Sequence, residues 1–352
     1  MIENPTSDKS VARWLYLGVF MLMVQILLGG ITRLTESGLS ITEWNPVTGI
    51  LPPLNIHQWQ VEFDKYKTTD QFRYINSDFT LSDFKNIFFW EWLHRAWARL
   101  MGLVFLVGFV YFLIKKKLRS NMVIPFIILF LLGIIQGAIG WIMVKSGLMP
   151  EKMFVGHIQL TVHFISALVL LCYTLWFALS LSVKKTSLVL NSSLRNWSFI
   201  ILIFVFFQLI YGGFMAGLHA GSIAPTWPQI NGKWIPAKMD SLSPAMRNFT
   251  DNKIAVQFIH RSLAYIILLL MIVWTLKMRK INGSNLFQKL KWIPPFLLLL
   301  QIVLGIFTVI NSPFPNKLVF FGVAHQLNAI LLLMSLIIMI FIVRSKERAV
   351  VK

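Results

Sequence analysis

Residues 122–144 have the sequence MVIPFIILFLLGIIQGAIGWIMV, an apolar stretch without a charged side chain. A helix needs about 20 apolar residues to cross a bilayer, and in lipid every backbone polar group must be hydrogen-bonded within its own segment. This stretch is therefore predicted to be a membrane-spanning helix. Seven further stretches have the same character, at 14–31, 96–114, 156–181, 197–217, 254–276, 292–310 and 319–343. The sequence predicts an all-α membrane protein with eight transmembrane helices.

The composition of the whole chain agrees with this class. Of its 352 residues, 56% are hydrophobic and 13% are charged, which is too apolar for a disordered protein. The net charge of +19 comes from basic residues scattered between apolar stretches, so they form no single face of the kind that binds nucleic acid. The single cysteine, Cys172, excludes an internal disulfide, a cysteine-rich zinc site and a thiolate-held iron–sulfur cluster. The expected surroundings are the lipid bilayer, with no nucleic-acid partner.

The basic residues also predict which side of the membrane each loop faces. Lysine and arginine are abundant at 115–121, 182–196, 277–291 and in the C-terminal tail, which contains Arg344, Lys346, Arg348 and Lys352. The short loops opposite contain only Lys145, Lys152 and Lys317. Because cytoplasmic loops carry excess positive charge, both termini are predicted to be cytoplasmic, and 32–90 and 218–253 to lie outside. No cleavable leader is expected in the first 13 residues.

A fourfold pattern occurs twice along the chain. The matching segments are Gln25–Gly30 with Gln208–Gly213, His94-Arg95 with His260-Arg261, Gln136–Gly140 with Gln301–Gly305, and His163 with His325. Each unit has four spans, so both units have the same orientation and should be related by an axis along the membrane normal. The predicted architecture is two pseudo-twofold-related four-helix bundles, residues 1–190 and 191–352. The GxxxG pairs at Gly133/Gly137 and Gly213/Gly217 are expected at close helix contacts.

Four of the seven histidines fall at equivalent positions, one on each even-numbered span. They are His94 and His163 in the first unit and His260 and His325 in the second. Ionisable side chains within membrane spans usually serve function, because hydrocarbon penalises them. Two imidazoles per half, near the outer face, suit a haem iron better than zinc, since no cysteine or carboxylate ligand recurs beside them. An interhelical hydrogen bond is the alternative role. His57, His157 and His219 receive no assignment.

The two halves differ beside the first histidine of each pair. Glu91 precedes His94 by three residues and shares its helix face, whereas Gln257 holds the equivalent position before His260. A carboxylate in one half only favours a chemical site there and an electron-transfer site in the other half. Pairing of Glu91 with Arg95 is the alternative. Arg95 and Arg261 could pair with haem propionates or simply reach the membrane interface.

The first outer loop carries a specific series of motifs, and further motifs follow it. They are Gly29–Thr35, Ser37–Ser40, Glu43-Trp44, Pro46–Gly49, Pro52-Pro53, Glu62-Phe63, Lys65–Lys67, Phe84-Lys85, Ile87-Phe88, Glu91-x-x-His94-Arg95, Met143–Leu148, Trp227-Pro228, Gly232–Pro236, His260-Arg261-x-x-Ala264-Tyr265 and Ala324–Gln326. Over nearly the whole chain the sequence resembles haem A synthase of the mitochondrial and alphaproteobacterial branch. It lacks the cysteine pair found in the outer loops of the Bacillus-type branch.

The resemblance implies that the two halves have different roles. It implies haem b held by His260 and His325, and a substrate haem O site at His94 and His163 with catalytic Glu91 beside it. The implied reaction oxidises one methyl group of haem O to a formyl group by two successive hydroxylations, giving haem A for cytochrome oxidase. The implied location is the bacterial inner membrane, with the haem sites near the periplasmic side. Haem O synthase and an electron donor are the implied partners.

Two departures from the family pattern accompany the resemblance. His219-Ala220-Gly221 stands where the family often has Asp before Ala-Gly. His157–Leu160 replaces a Tyr-Arg-Leu stretch, so a propionate contact made by that arginine has no counterpart here.

From the residues alone two other functional classes stay open. One is a non-catalytic b-type cytochrome that moves electrons between quinone and an outer partner, against which the Glu91/Gln257 difference weighs. The other is a transporter with parallel repeats, in which the histidines relay protons or bind substrate.

Overall fold

Eight long helices dominate the described part of the protein. The structure, a computed structural model, describes residues 5–43 and 48–345. The eight helices are α1 (Pro5–Leu34), α4 (Leu81–Ile114), α5 (Ser120–Gly147), α6 (His157–Ser182), α7 (Ser192–Gly217), α8 (Lys253–Met278), α10 (Ile293–Ile310) and α11 (Pro315–Ile342). Each is long and apolar enough to cross a membrane. The predicted all-α class and the eight spans are confirmed.

Shorter elements connect these helices. They are α2 (Ile56–Lys67), α3 (Asp70–Tyr74), α9 (Asn285–Leu290), four 3₁₀ turns at 48–50, 185–187, 220–223 and 245–249, and a parallel pair of two-residue strands, β1 (Val189–Leu190) and β2 (Val343–Arg344). Trp44, Pro46 and Val47 of the first-loop motifs, and Lys346, Arg348 and Lys352 of the basic tail, lie outside the described residues.

Helix α4 begins well before the predicted apolar span that it contains. Thr80 and Asp83 form a capping box that fixes its first turn at Leu81, about ten residues ahead of Glu91. Phe84 and Phe88 on this extension pack with Phe63 and Tyr66 of α2 in an aromatic cluster. Consequently Glu91 and His94 lie on one continuous helix. The described part of the segment 35–80, which is predicted to lie outside and is called the outer segment below, is attached to this helix.

The helices pack in matching patterns within the two halves. In the first half α1 contacts α4 and α6, and α5 contacts α6; in the second, α7 contacts α8 and α11, and α10 contacts α11. The halves meet where α6 packs on α7 and α1 packs on α11. One apolar core runs through both, with Leu171, Trp274 and Leu336 fully buried in it. The twofold relation and the division at residue 190 stay predictions.

The two GxxxG predictions have opposite outcomes. A Cβ added at Gly213 would lie 2.7 Å from Oγ1 of Thr161, and one at Gly217 would lie 2.5 Å from Cβ of His157, so both glycines permit the close approach of α6 and α7. For Gly133 and Gly137 the prediction is wrong. Among the described residues nothing lies within 4 Å of a Cβ at either position.

Candidate functional site

The four repeat-equivalent histidines lie in two pairs. His94 on α4 and His163 on α6 are close enough for the charge of one to affect the other, and the same holds for His260 on α8 and His325 on α11. All four side chains are half-buried between the helices. The structure therefore brings together the residues that the repeat predicts as partners, while their binding of iron stays a prediction.

Each imidazole lies against a glycine of a neighbouring helix. A Cβ built on Gly29 would be 3.4 Å from Cε1 of His94, and one on Gly212 would be 3.5 Å from Cε1 of His260. The contacts are tighter at the other two rings, where a Cβ on Gly140 would lie 2.8 Å from His163 and one on Gly305 would lie 2.9 Å from His325. These four glycines occupy equivalent positions of the two repeats. The helix surface is thus without a side chain where each ring lies.

Glutamine side chains contact one histidine of each pair, His163 in the first half and His325 in the second, called the inner histidines below. His94 and His260 are called the outer histidines. In the first half the amide nitrogen of Gln136 lies 3.1 Å from Nδ1 of His163, and the hydroxyl of Ser166 donates to the amide oxygen of Gln136 at 2.5 Å. In the second half Gln301 lies 3.1 Å from both ring nitrogens of His325, and Asn328 donates to its amide oxygen at 2.7 Å. Such contacts orient an imidazole toward a ligand, as metal-binding histidines require.

Buried polar atoms at and near His260 have no hydrogen-bond partner in the described part of the protein. They are Nδ1 of His260 itself, Oε1 of Gln208 and Oε1 of Gln257, and Oε1 of Gln25, the repeat equivalent of Gln208, is likewise without a partner. The amide nitrogen of Gln208 lies 3.2 Å from Nε2 of His260, and Gln25 is its equivalent on α1. A buried polar atom without a partner is costly, so this cluster indicates a site built for a further group.

The donor set suits an iron porphyrin. Within residues 5–43 and 48–345 no three His, Cys, Asp or Glu side chains form a group that could hold a metal ion directly. A porphyrin supplies four nitrogen ligands itself, so a haem would need only the two imidazoles of one pair from the protein. The imidazole pairs, the glycine contacts and the unpartnered amide oxygens therefore fit a haem in each half.

The Glu91 carboxylate is buried, and both of its oxygens accept hydrogen bonds. Its side chain is 3% exposed, one oxygen accepts from the Ser40 hydroxyl at 2.7 Å and from the backbone N–H of Ile41 at 2.9 Å, and the other lies 2.6 Å from Nη2 of Arg95. Arg95 also donates to the carbonyls of Ile41 and Glu43, each at 3.0 Å. The ion pair with Arg95 is thus present, and it ties the first outer segment to α4. The catalytic role of Glu91 stays a prediction.

Gln257 and Arg261 make the equivalent connection in the second half. The buried Gln257 amide donates to the Ala224 carbonyl at 3.0 Å, and Arg261 donates to the Thr226 carbonyl at 2.7 Å. Both arginines therefore bind loop carbonyls, and the propionate contacts predicted for them stay predictions. Sequence reasoning missed this anchoring of outer loops, because the acceptors are backbone atoms that no side-chain pattern reveals.

Comparison with known proteins extends this picture to the whole chain. The family model COX15-CtaA, described as "Cytochrome oxidase assembly protein", matches residues 12–337. The chain belongs to the COX15-CtaA family.

A protein of Flavobacterium psychrophilum named "Heme A synthase" is 41% identical over 333 residues, which cover 93% of this chain and 96% of that protein. "Heme A synthase" of Wolbachia sp. subsp. Brugia malayi is 41% identical over 86% of this chain and 89% of its own length. "Heme A synthase" of Azorhizobium caulinodans is 39% identical, with 94% and 93% covered. The predicted resemblance is confirmed.

In this COX15-CtaA family member the three unassigned histidines lie apart from the two pairs. His57 is exposed on α2, and Nε2 of His157 lies 3.5 Å from the carboxylate of Asp251. His219 follows α7 in a left-handed conformation with φ of 54°, its Nε2 2.8 Å from Arg33 and 3.2 Å from Glu36. His219 and Glu36 are separated by the same interval as Gln25 and Gln208. The repeat spacing marks Glu36 and His219 as equivalent positions, but it does not predict that they touch.

The Glu36–His219 contact predicts a pH-dependent stability. The hydrogen bond from His219 and the charge of Arg33 hold the pKa of Glu36 below its usual value. Tyr66 is another titratable side chain whose charge interacts with that of Glu36. A lowered folded-state pKa stabilises the protein above the ordinary carboxyl pKa, and this contribution is lost as pH falls through the folded-state value. In thermal unfolding, Glu36→Gln should melt below wild type at neutral pH, and the difference should shrink on acidification. A difference that grows with acid would contradict this assignment.

The glycine contacts predict half-specific loss of haem. Gly140→Leu should remove the haem bound at the N-terminal pair and Gly305→Leu the one at the C-terminal pair, because the new side chain would occupy the place of an imidazole. Gly137→Leu on the same helix is the matched control, since its Cβ would meet nothing among the described residues. Haem per polypeptide, measured by pigment extraction, checks this. Equal losses in Gly140→Leu and Gly137→Leu would show that the glycine contacts are irrelevant.

Proposed function

We propose that this protein oxidises one methyl group of haem O to a formyl group and so produces haem A for cytochrome oxidase. Two successive hydroxylations at the same carbon give a geminal diol, which loses water. The observation that carries the proposal is a duplicated pair of histidines, each packed against a glycine at an equivalent position of the repeats, with a buried carboxylate three residues before the first histidine of one pair only. Relatives named "Heme A synthase" that match along nearly the whole chain support it.

The two halves would hold two different haems. His94 and His163, in residues 1–190, would hold the substrate haem O, and His260 and His325, in residues 191–352, would hold a resident haem b. The haem b supplies electron transfer when bound. The equivalence of the glycine and glutamine contacts in the two halves supports similar binding of both porphyrins.

Gln136 and Gln301 would hold the rings of the inner histidines in position. The amide nitrogen of Gln136 lies 3.1 Å from Nδ1 of His163 and also donates to the His163 backbone carbonyl at 3.1 Å. The amide nitrogen of Gln301 lies 3.1 Å from Nδ1 of His325, while its oxygen accepts from Asn328. Both amides are therefore fixed by a second hydrogen bond, and each limits the rotation of the imidazole that it contacts.

Glu91 would act on the reacting methyl group through its charge and its proton affinity. Its contacts with Ser40, Ile41 and Arg95 fix the carboxylate before the reaction, so no reorganisation is needed when positive charge develops on the methyl carbon. Accepting a proton from that carbon is the complementary role.

The surroundings of the reaction follow from the proposed orientation. Both termini would lie in the cytoplasm of a bacterial inner membrane, with both haems near the periplasmic side. Haem O would come from haem O synthase, and an electron-transfer protein or quinone would exchange electrons with the C-terminal haem.

Coexpression with a haem O synthase tests the proposal. Pigments extracted from the purified protein should contain haem A and haem B, and haem A should be absent when either protein is omitted. A b-type cytochrome would retain two chemically unaltered haems, and a transporter would lack a low-spin haem spectrum. Either result would refute the proposed function.

A further inference from the structure

An apolar cavity lies where α5, α6 and α7 meet, at the junction of the two halves. Its volume of about 410 Å³ is typical of ligand sites. The lining is aliphatic and aromatic, and includes Ile135, Ile158, Val162, Val169, Ile210 and Phe214. The function proposed above leaves this cavity unused.

The cavity adjoins the N-terminal histidine pair. Ser166 lines it and also donates to Gln136, the residue that lies against the ring of His163. Ser166 follows His163 by three residues on α6, so one turn of helix separates the histidine from the cavity wall. A porphyrin bound to His163 would therefore have this cavity beside it.

The cavity opens sideways, toward the surface that a membrane-spanning protein presents to lipid. Four of its lining residues are about half exposed: Ile135 at 51%, Ile158 at 47%, Val162 at 49% and Val169 at 48%. From Ile158 to Val169 it follows α6 for about 16 Å at 1.5 Å per residue. An elongated apolar group could enter from the bilayer and lie along this helix.

The residue equivalent to Ser166 in the other half is larger and buried. Asn328 stands at this position, is 4% exposed, and donates to the carbonyl of Leu297 and to Gln301. Its amide is larger than the serine hydroxyl that lines the cavity in the first half. The small residue occurs in the half assigned to haem O, and the large one in the half assigned to haem b.

We propose that this cavity binds the isoprenoid tail of haem O, an inference that rests on the proposed function. Haem O differs from haem B by a long hydroxyethylfarnesyl substituent on one edge of the ring. A porphyrin held only by the two histidines of a pair would be free to turn about the line that joins them. Anchoring the tail along α6 would fix that rotation, so that one particular methyl group faces Glu91. Because lipid is as apolar as the cavity, the gain lies in shape and orientation rather than in removal from water.

Filling the cavity tests this inference. Val169→Trp and Val162→Trp are made separately. Each should lower the recovered amount of haem O plus haem A, measured relative to haem B, about tenfold, which corresponds to a tenfold weaker binding of haem O. The control is Val107→Trp on α4, a valine that is 59% exposed on a span but outside the cavity lining. Haem B per polypeptide should stay unchanged in all three variants, which shows that they fold.

The outcomes separate the two proposals. If wild-type protein makes haem A but the cavity variants recover haem O and haem A as Val107→Trp does, the tail lies elsewhere and the inference is overturned. If native mass spectrometry instead finds a phospholipid that Val169→Trp releases without loss of haem O, the cavity is a lipid site. If wild-type protein makes no haem A, the proposed function itself fails.

Discussion

His163→Ala is expected to abolish retention of haem O and formation of haem A while leaving the C-terminal haem bound. His325→Ala should remove the C-terminal haem and leave haem O bound but unoxidised. The two pairs lie on different helices, and each has its own glycine and glutamine contacts, so loss of one ligand need not disturb the other pair. Loss of one proposed ligand should reduce haem occupancy at that pair about 100-fold, since even a residue that only supports a metal ligand is worth 10- to 100-fold.

Pigment extraction together with the low-spin absorption spectrum measures both sites at once. His57→Ala is the matched control, because His57 is exposed on α2 and far in sequence from both pairs. Gln136→Ala and Gln301→Ala should give intermediate losses in their own halves, since they orient a ligand without supplying one. If His163→Ala and His325→Ala lose the same haem, the two pairs do not form two sites and the division of labour is wrong.

The sequence predicted the spans and the histidine pairs because both depend on regular patterns. Apolar length decides the spans, and the repeat places His94 with His163 and His260 with His325. The glycines opposite the rings were visible as repeat-equivalent residues, but only packing shows that Gly140 lies against His163 while Gly137 meets nothing among the described residues.

Features that depend on tertiary contacts were not predictable. The partners of Glu91 include the backbone N–H of Ile41, which any residue would supply. The early start of α4 requires the aromatic cluster around Phe84 and the Thr80 capping box, which the apolar pattern does not report. The cavity beside Ser166 exists only because three helices from two halves meet there.

Glu91→Gln is expected to retain both haems but to lower the ratio of haem A to haem O about 100-fold or more, as expected when a positioned charge or a general base is lost. Glutamine has the shape of glutamate, and its amide oxygen can still accept from Ser40 and Ile41, although its amide nitrogen cannot accept from Arg95. Arg95 keeps its bonds to the Ile41 and Glu43 carbonyls, so the outer segment should stay attached to α4. What is lost is the negative charge beside the reacting methyl group. The ratio is measured by chromatography of extracted pigments after coexpression with haem O synthase.

The anchoring role of Glu91 predicts a different result and can be separated from the chemical one. If Glu91 only ties the outer segment to the helix through Arg95, then Arg95→Gln, which removes the same ion pair and also the donors to the Ile41 and Glu43 carbonyls, should lose at least as much haem O as Glu91→Gln. Retention of haem O and protease resistance of residues 35–80 should then fall together in both variants, with the ratio of haem A to haem O unchanged.

If instead the charge acts on the methyl group, Glu91→Gln should accumulate bound, unoxidised haem O, whereas Arg95→Gln, which keeps the carboxylate, should still produce haem A. Normal haem A yield from Glu91→Gln would exclude the chemical role.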